Sequence, residues 1–195
     1  MKKLLSLIFI FSTFHLLAQK SLLLLKTGSS IKPDIEKVAR DYYDHFDNIK
    51  GEKISESEST IEYQSKIIPA GSLESTITQI KSLHNVYSWQ TTLLKTDDYE
   101  KAVEKYKQIF HQLNGSNFKI QENQSWKFEG LYDTPDDARS FASSILEPNV
   151  SDKVFQRLKI EIALNYNMPN WTVKVMVYEK ENDADIRPSE KTGSF

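Results

Sequence analysis

"SWKFEGLYDTPDDARSFA", residues 125–142, and "SWQTTLLKTDDYEKAVEKY", residues 88–106, follow one pattern. Each opens with Ser-Trp, continues through an apolar run, and reaches a threonine and paired aspartates before apolar and charged residues alternate. A threonine or aspartate just ahead of a helical pattern is typical of a helix N-cap, because its side-chain oxygen accepts a hydrogen bond from the first turn. The two stretches therefore predict the same piece of architecture used twice: a strand, a cap and a helix.

The caps are predicted at Asp97, with Glu100 reaching back, and at Thr134, with Pro135 at the first helical position. A duplicated acidic metal site is the alternative interpretation of the paired aspartates. A divalent cation needs six to eight oxygen ligands, and neither turn has further ligands close in sequence. We predict structural caps, and no metal or other cofactor.

The order of the predicted elements indicates an α+β fold. The first helix of the repeat carries apolar residues from 99 to 113, and the second from 138 to 146. With the strands between them, residues 86–166 follow the ferredoxin-like βαββαβ order, an antiparallel sheet with helices packed on one face. One added C-terminal strand and an N-terminal α+β extension complete the predicted fold.

The N-terminal extension begins with apolar residues at helical spacing, which predict a helix over about 33–49. Residues 51–62 are rich in glutamate and serine and are predicted to be a solvated connector. Alternating residues then predict strands over 61–67 and, more weakly, 75–81.

The strand phases near the C-terminus predict which face of the sheet is buried. Residues 159–166 and 171–178 alternate with period two and predict a hairpin. Trp126 is in phase with Phe128, and Trp171 with three valines, so the tryptophans are predicted in the core. The opposite phase forms a candidate polar binding face, whose predicted residues are Gln90, Lys127, Glu129, Lys159, Glu161 and Lys174.

The first residues predict export. Lys2 and Lys3 precede an apolar stretch too short for a comfortable membrane span, and cleavage is predicted between Ala18 and Gln19. An uncleaved membrane anchor is the alternative. The predicted organisation is a signal peptide at 1–18, an α+β segment at 19–85, a ferredoxin-like domain at 86–180 and a disordered tail at 181–195.

Composition excludes several functional classes. The chain has no cysteine, which excludes disulfides, thiol catalysis and a lipidated cysteine. Its formal net charge is −2 with interspersed signs, so no basic stripe indicates nucleic-acid binding. Neither a nucleophile elbow nor a phosphate-binding glycine loop is present.

The leading functional hypothesis is an exported, periplasmic or secreted, non-catalytic module that binds a protein or cell-envelope component. "YSWQTTLL" and "WKFEGLYDTPDDA" within residues 86–166 resemble the SPOR domain family, and Gln90 lies near a position where such domains often have a glutamine on the first strand. That resemblance implies a βαββαβ fold that binds peptidoglycan glycan strands. A small hydrolase or isomerase without a familiar motif is the third hypothesis.

Overall fold

The computed structural model of the protein describes residues 30–82, 85–121 and 123–180. The predicted signal peptide and C-terminal tail lie outside these residues. The helices are α1 (Lys32–Arg40), α2 (Tyr99–Leu113) and the single turn α3 (Lys153–Gln156). The strands are β1 (Lys50–Glu56), β2 (Thr60–Ser65), β3 (Glu74–Ile80), β4 (Val86–Thr96), β5 (Ser116–Gln121), β6 (Gln124–Glu129), β7 (Phe141–Pro148), β8 (Leu158–Asn167) and β9 (Asn170–Glu179).

All nine strands form one antiparallel sheet in the order β1-β2-β3-β4-β9-β8-β7-β6-β5. This strand order divides the described chain into two halves. In the first half, α1 precedes the meander β1–β4; in the second, α2 precedes the meander β5–β9. The last strands of the two meanders, β4 and β9, pair at the centre of the sheet. The repeating unit of the fold is thus a helix followed by a meander.

This architecture corrects the predicted ferredoxin-like fold. Strands account for 48% and helices for 21% of the structure, and the βαββαβ order with helices packed on one face is absent from the described residues. The decisive difference is at 138–146, where a second long helix was predicted and the chain instead forms β7. Residues 130–140 ahead of it contain no helix, so Thr134 is not a helix cap.

The helix-like pattern over β7 arises because a polar residue occupies a core position. Ala142, Ser144 and Leu146 alternate toward the helix-covered face and are buried. Ser144 is fully buried but hydrogen-bonded to the hydroxyl of Tyr106, 2.6 Å away. Because a small alanine and a serine stand where a strand pattern expects bulky apolar residues, the period-two signal is weak.

The predicted helix over 33–49 is also shorter in the structure. It ends at Arg40, and a turn of 3-10 helix follows at Asp41–Asp44. The buried Asp41 carboxylate accepts hydrogen bonds from the backbone N–H groups of Asn48 and Ile49, which turns the chain into β1. The predicted connector at 51–62 contains the edge strand β1, whose exposed residues hide its pattern.

Helix α2 and the C-terminal hairpin confirm their predicted positions. The N-cap of α2 is Asp98 and not Asp97: the Asp98 side chain accepts a hydrogen bond from the N–H of Lys101 at 3.1 Å. Helix α2 lies across β4, β8 and β9, and α1 lies over β5. Buried residues of both helices belong to the main hydrophobic core.

Candidate functional site

The face of the sheet away from the helices is the candidate functional site, and we call it the open face. Residues paired directly across antiparallel strands point to the same side of a sheet. Trp89 pairs with Val177, and Val177 with Ile160, and all three are fully buried on the helix side. The adjacent residues in each strand therefore belong to the open face.

All six residues of the predicted binding face lie on the open face. Gln90 and Lys174 lie on the central strands β4 and β9, and Lys159 and Glu161 on β8. Lys127 and Glu129 lie on β6, beyond β7, so the six residues do not converge on one point. Most of the six form hydrogen bonds or ion pairs with neighbouring residues.

Glu161 is the centre of a hydrogen-bond network across three strands. Its carboxylate accepts hydrogen bonds from the Ser143 hydroxyl of β7, at 2.5 Å, and from the Tyr178 hydroxyl of β9, at 2.9 Å. Burial raises the pKa of Tyr178, and the negative charge of Glu161 raises it further. The raised pKa favours the protonated Tyr178 hydroxyl, which donates the hydrogen bond to Glu161.

The Lys159 ammonium group is buried and already paired within the protein, so it is not free to bind a ligand. Its side chain is only 8% exposed, and its ammonium group lies 2.9 Å from the Glu147 carboxylate. The same group donates a hydrogen bond to the Gln156 carbonyl oxygen at 2.8 Å. A buried charge is tolerated when it is paired and hydrogen-bonded in this way.

The other predicted residues differ in how far they are engaged. Lys127 and Glu129 form an ion pair with each other at 2.5 Å, and both remain about half exposed. Gln90 donates a hydrogen bond to the Thr76 hydroxyl at 3.1 Å. Lys174 is partly exposed and pairs across the strands with Thr92 and Ala163. Charged residues on the open face are thus largely neutralised locally.

The sequence prediction missed three exposed apolar residues, Phe141 and Ile145 on the open face of β7 and Leu131 in the segment beside β7, which together we call the apolar patch. The relative exposures of Leu131, Phe141 and Ile145 are 90%, 50% and 41%. Phe141 and Ile145 lie on β7 in the phase opposite to its buried residues. Leu131 follows Gly130, whose backbone lies against the Ile145 carbonyl group of β7. Recognition of 141–148 as a strand would have revealed two of the three residues.

The three tryptophans are not on the open face. Trp89 is fully buried and donates a hydrogen bond from Nε1 to the Ser65 hydroxyl at 2.8 Å. Trp126 and Trp171 are each 8% exposed and belong to the core, as predicted. The ring of Trp126 packs against Phe155, 3.8 Å between centroids, and not against Phe141 or Ile145, which face the other way.

Shifted carboxyl pKa values in the described residues come from structural contacts. Hydrogen bonds from Lys53 and Lys81 lower the pKa of the exposed Glu56 carboxyl to about 2. Partial burial opposes the charged form of Asp133, but hydrogen bonds from Arg139 and the Ser143 amide outweigh it and lower its pKa. A general acid at neutral pH needs the opposite shift, so neither group supports the hydrolase or isomerase hypothesis.

Two further features bear on ligands and membranes. The described residues contain no cluster of three or more histidine, aspartate or glutamate side chains arranged to hold a metal ion. No helix within them is long and apolar enough to cross a membrane. Comparison of the chain with protein-family models, curated proteins and solved structures finds no match.

Proposed function

We propose that this protein is an exported binding module that recognises a protein partner through the open face. The observation that carries the proposal is the exposure of three large apolar residues at one end of the sheet: Phe141 and Ile145 on β7, and Leu131 in the segment that lies against β7. Side chains on this face gain about 25 cal/mol for each Å² of apolar surface that a partner removes from water. Export rests on the composition of residues 1–18.

The surroundings of the patch favour a protein partner. Protein–protein interfaces commonly combine an apolar centre with a polar rim that remains hydrated. Here the Lys127–Glu129 ion pair and the Glu161 network flank the patch on β6 and β8. Because these charges are already paired within the module, covering them leaves no isolated buried charge.

A glycan partner has less support. The tryptophans, which offer the largest stacking surface for sugars, are in the core. The SPOR resemblance implies a βαββαβ fold, and the chain forms β7 where that fold has its second helix. Binding of cell-wall glycans is therefore an outcome that the experiment distinguishes and not the proposal.

Site-specific photo-crosslinking tests the proposal in cells that produce the protein. A photo-reactive amino acid at the exposed Leu131 samples the apolar patch beside β7, and one at the exposed Lys107 on α2 samples the helix side. We expect a discrete protein adduct from position 131 and none from position 107. Ile145→Lys should abolish the adduct, because it places a charge within the apolar contact.

The matched control is Ile54→Lys, which changes another half-exposed isoleucine, on the distant edge strand β1. This variant should form the adduct as the wild type does. Equal crosslinking from positions 131 and 107, or an adduct that survives Ile145→Lys, would contradict the proposal. Co-sedimentation with purified peptidoglycan, unchanged by Ile145→Lys, would support glycan binding instead.

A further inference from the structure

Among the residues that the structure describes, the strand order leaves β5 at one edge of the sheet, where its outward backbone groups have no neighbouring strand. Exposed edges of this kind can pair with a strand of another chain. Successive residues of an antiparallel strand direct their N–H and C=O groups alternately to the two sides. Lys119, at the middle of β5, directs both groups outward, away from β6.

Two side chains of α1 satisfy both outward groups of Lys119. The Glu36 carboxylate accepts a hydrogen bond from the Lys119 N–H at 3.0 Å. The Arg40 Nε donates a hydrogen bond to the Lys119 carbonyl oxygen at 2.6 Å. One acceptor and one donor thus occupy the positions that the backbone of an added strand would occupy.

The pair is held in place from both sides. Arg40 and Glu36 form an ion pair with each other at 2.8 Å, one helical turn apart. The opposite side of α1 is anchored by Ile35, Val38 and Ala39, all fully buried. The two side chains therefore start from a rigid helix, which reduces the conformational entropy lost in binding the strand.

The other edge of the sheet is protected differently. The pairing of β1 with β2 contains two register shifts, next to Lys53, and the strand carries several charges. Bulges and charged residues are common protections of natural edge strands. Strand β5 has one register shift, between Lys119 and Gln121, and its residues from Ser116 to Lys119 pair with β6 in a regular register. Its exposed and buried residues alternate, with Phe118 and Ile120 buried. Without its two hydrogen bonds to α1, β5 is the edge better suited to strand pairing.

We infer that Glu36 and Arg40 act as an edge guard: they mimic a partner strand and prevent β5 from pairing with β5 of a second copy of this chain. The inference does not depend on the open face or its partner. It concerns the perimeter of the sheet, so it survives if the proposed function fails.

The test is the double variant Glu36→Ala with Arg40→Ala. Asp34→Ala with Lys37→Ala is the matched control, because it removes another ion pair of the same helix, at 3.0 Å between Lys37 and Asp34, and leaves the hydrogen bonds of Glu36 and Arg40 to Lys119 in place. Light scattering after size-exclusion chromatography is measured over a range of protein concentrations. We expect the wild type and the control to stay monomeric and the guard variant to at least double its mass as concentration rises.

A third substitution identifies the surface responsible. Lys119→Pro removes the outward N–H, and proline is tolerated on edge strands at such positions. Added to the guard variant, it should restore the monomer. Self-association that persists would show pairing through another surface and overturn the inference, as would a guard variant that stays monomeric. If the double variant loses its circular dichroism signal, Arg40→Ala alone carries the same test.

Discussion

Gly130 is the residue whose replacement most directly tests the placement of β7. Its backbone passes so close to β7 that a Cβ atom at this position would overlap the Ile145 carbonyl oxygen and lie 3.1 Å from Leu146 Cδ2. The clash is with backbone, so no side-chain rotation relieves it. In Gly130→Ala the segment must move away from β7.

The loss in free energy of unfolding caused by this movement can be estimated from the contacts of Gly130. Overpacking in a well-packed region costs about 1–3 kcal/mol. The Gly130 N–H also donates a hydrogen bond to Asn114 Oδ1 at 3.0 Å, and losing it costs about 1 kcal/mol. Alanine lowers the conformational entropy of the unfolded chain, which stabilises the folded protein by about 0.4–1 kcal/mol. We expect a net loss of about 2 kcal/mol, a large share of the roughly 5–15 kcal/mol that stabilises a domain.

The assay is urea denaturation followed by tryptophan fluorescence, with Leu131→Ala as the control. Leu131 is adjacent but 90% exposed, so its truncation should change the free energy of unfolding by less than about 0.5 kcal/mol. If Gly130→Ala were as stable as the wild type, the segment could not lie against β7, and the description of the patch would be wrong.

Three further predictions concern the cap, the core and export. Asp98→Ala should lower the free energy of unfolding by about 1 kcal/mol at pH 7, whereas Asp97→Ala should stay near wild type. Hydrogen bonds from the side chain and the N–H of Lys101 lower the pKa of Asp98 in the folded protein. In denaturant unfolding below about pH 4, where Asp98 becomes protonated, the difference in stability between Asp98→Ala and the wild type should therefore shrink. Trp126→Ala should lower the free energy of unfolding in denaturant by about 3–5 kcal/mol, and Lys127→Ala should lower it by less than about 0.5 kcal/mol. If the two variants were equally stable, the assignment of Trp126 to the buried face would be wrong. N-terminal sequencing of protein recovered outside the cytoplasm should begin at Gln19, and an intact start would contradict cleavage.

Local periodicity explains which elements the sequence predicted. Helix α2 has an unbroken apolar stripe, and the hairpin of β8 and β9 alternates over ten-residue strands. In each case one face of the element is buried along most of its length, so the pattern is nearly complete. The apolar residues within the predicted helix over 33–49 are also buried, including Tyr42 and Phe46, although both lie beyond the end of α1.

Elements with an incomplete pattern were missed or misassigned. Strand β1 is exposed along most of its length, so no alternation marks it. Strand β7 has Ser144 in its core phase, and this polar residue is acceptable there only because Tyr106, 38 positions away, provides a hydrogen-bond partner. A local pattern cannot predict a buried polar residue whose partner lies in another element.

The sequence by itself determined the helix α2, the C-terminal hairpin and the phases that bury the tryptophans. It also predicted six polar residues that share one face. Only the tertiary structure decided that two meanders join through β4 and β9, and that Leu131 belongs beside β7. These features depend on pairings between distant segments, whose free energy comes from burying both partners together and is not encoded in either segment alone.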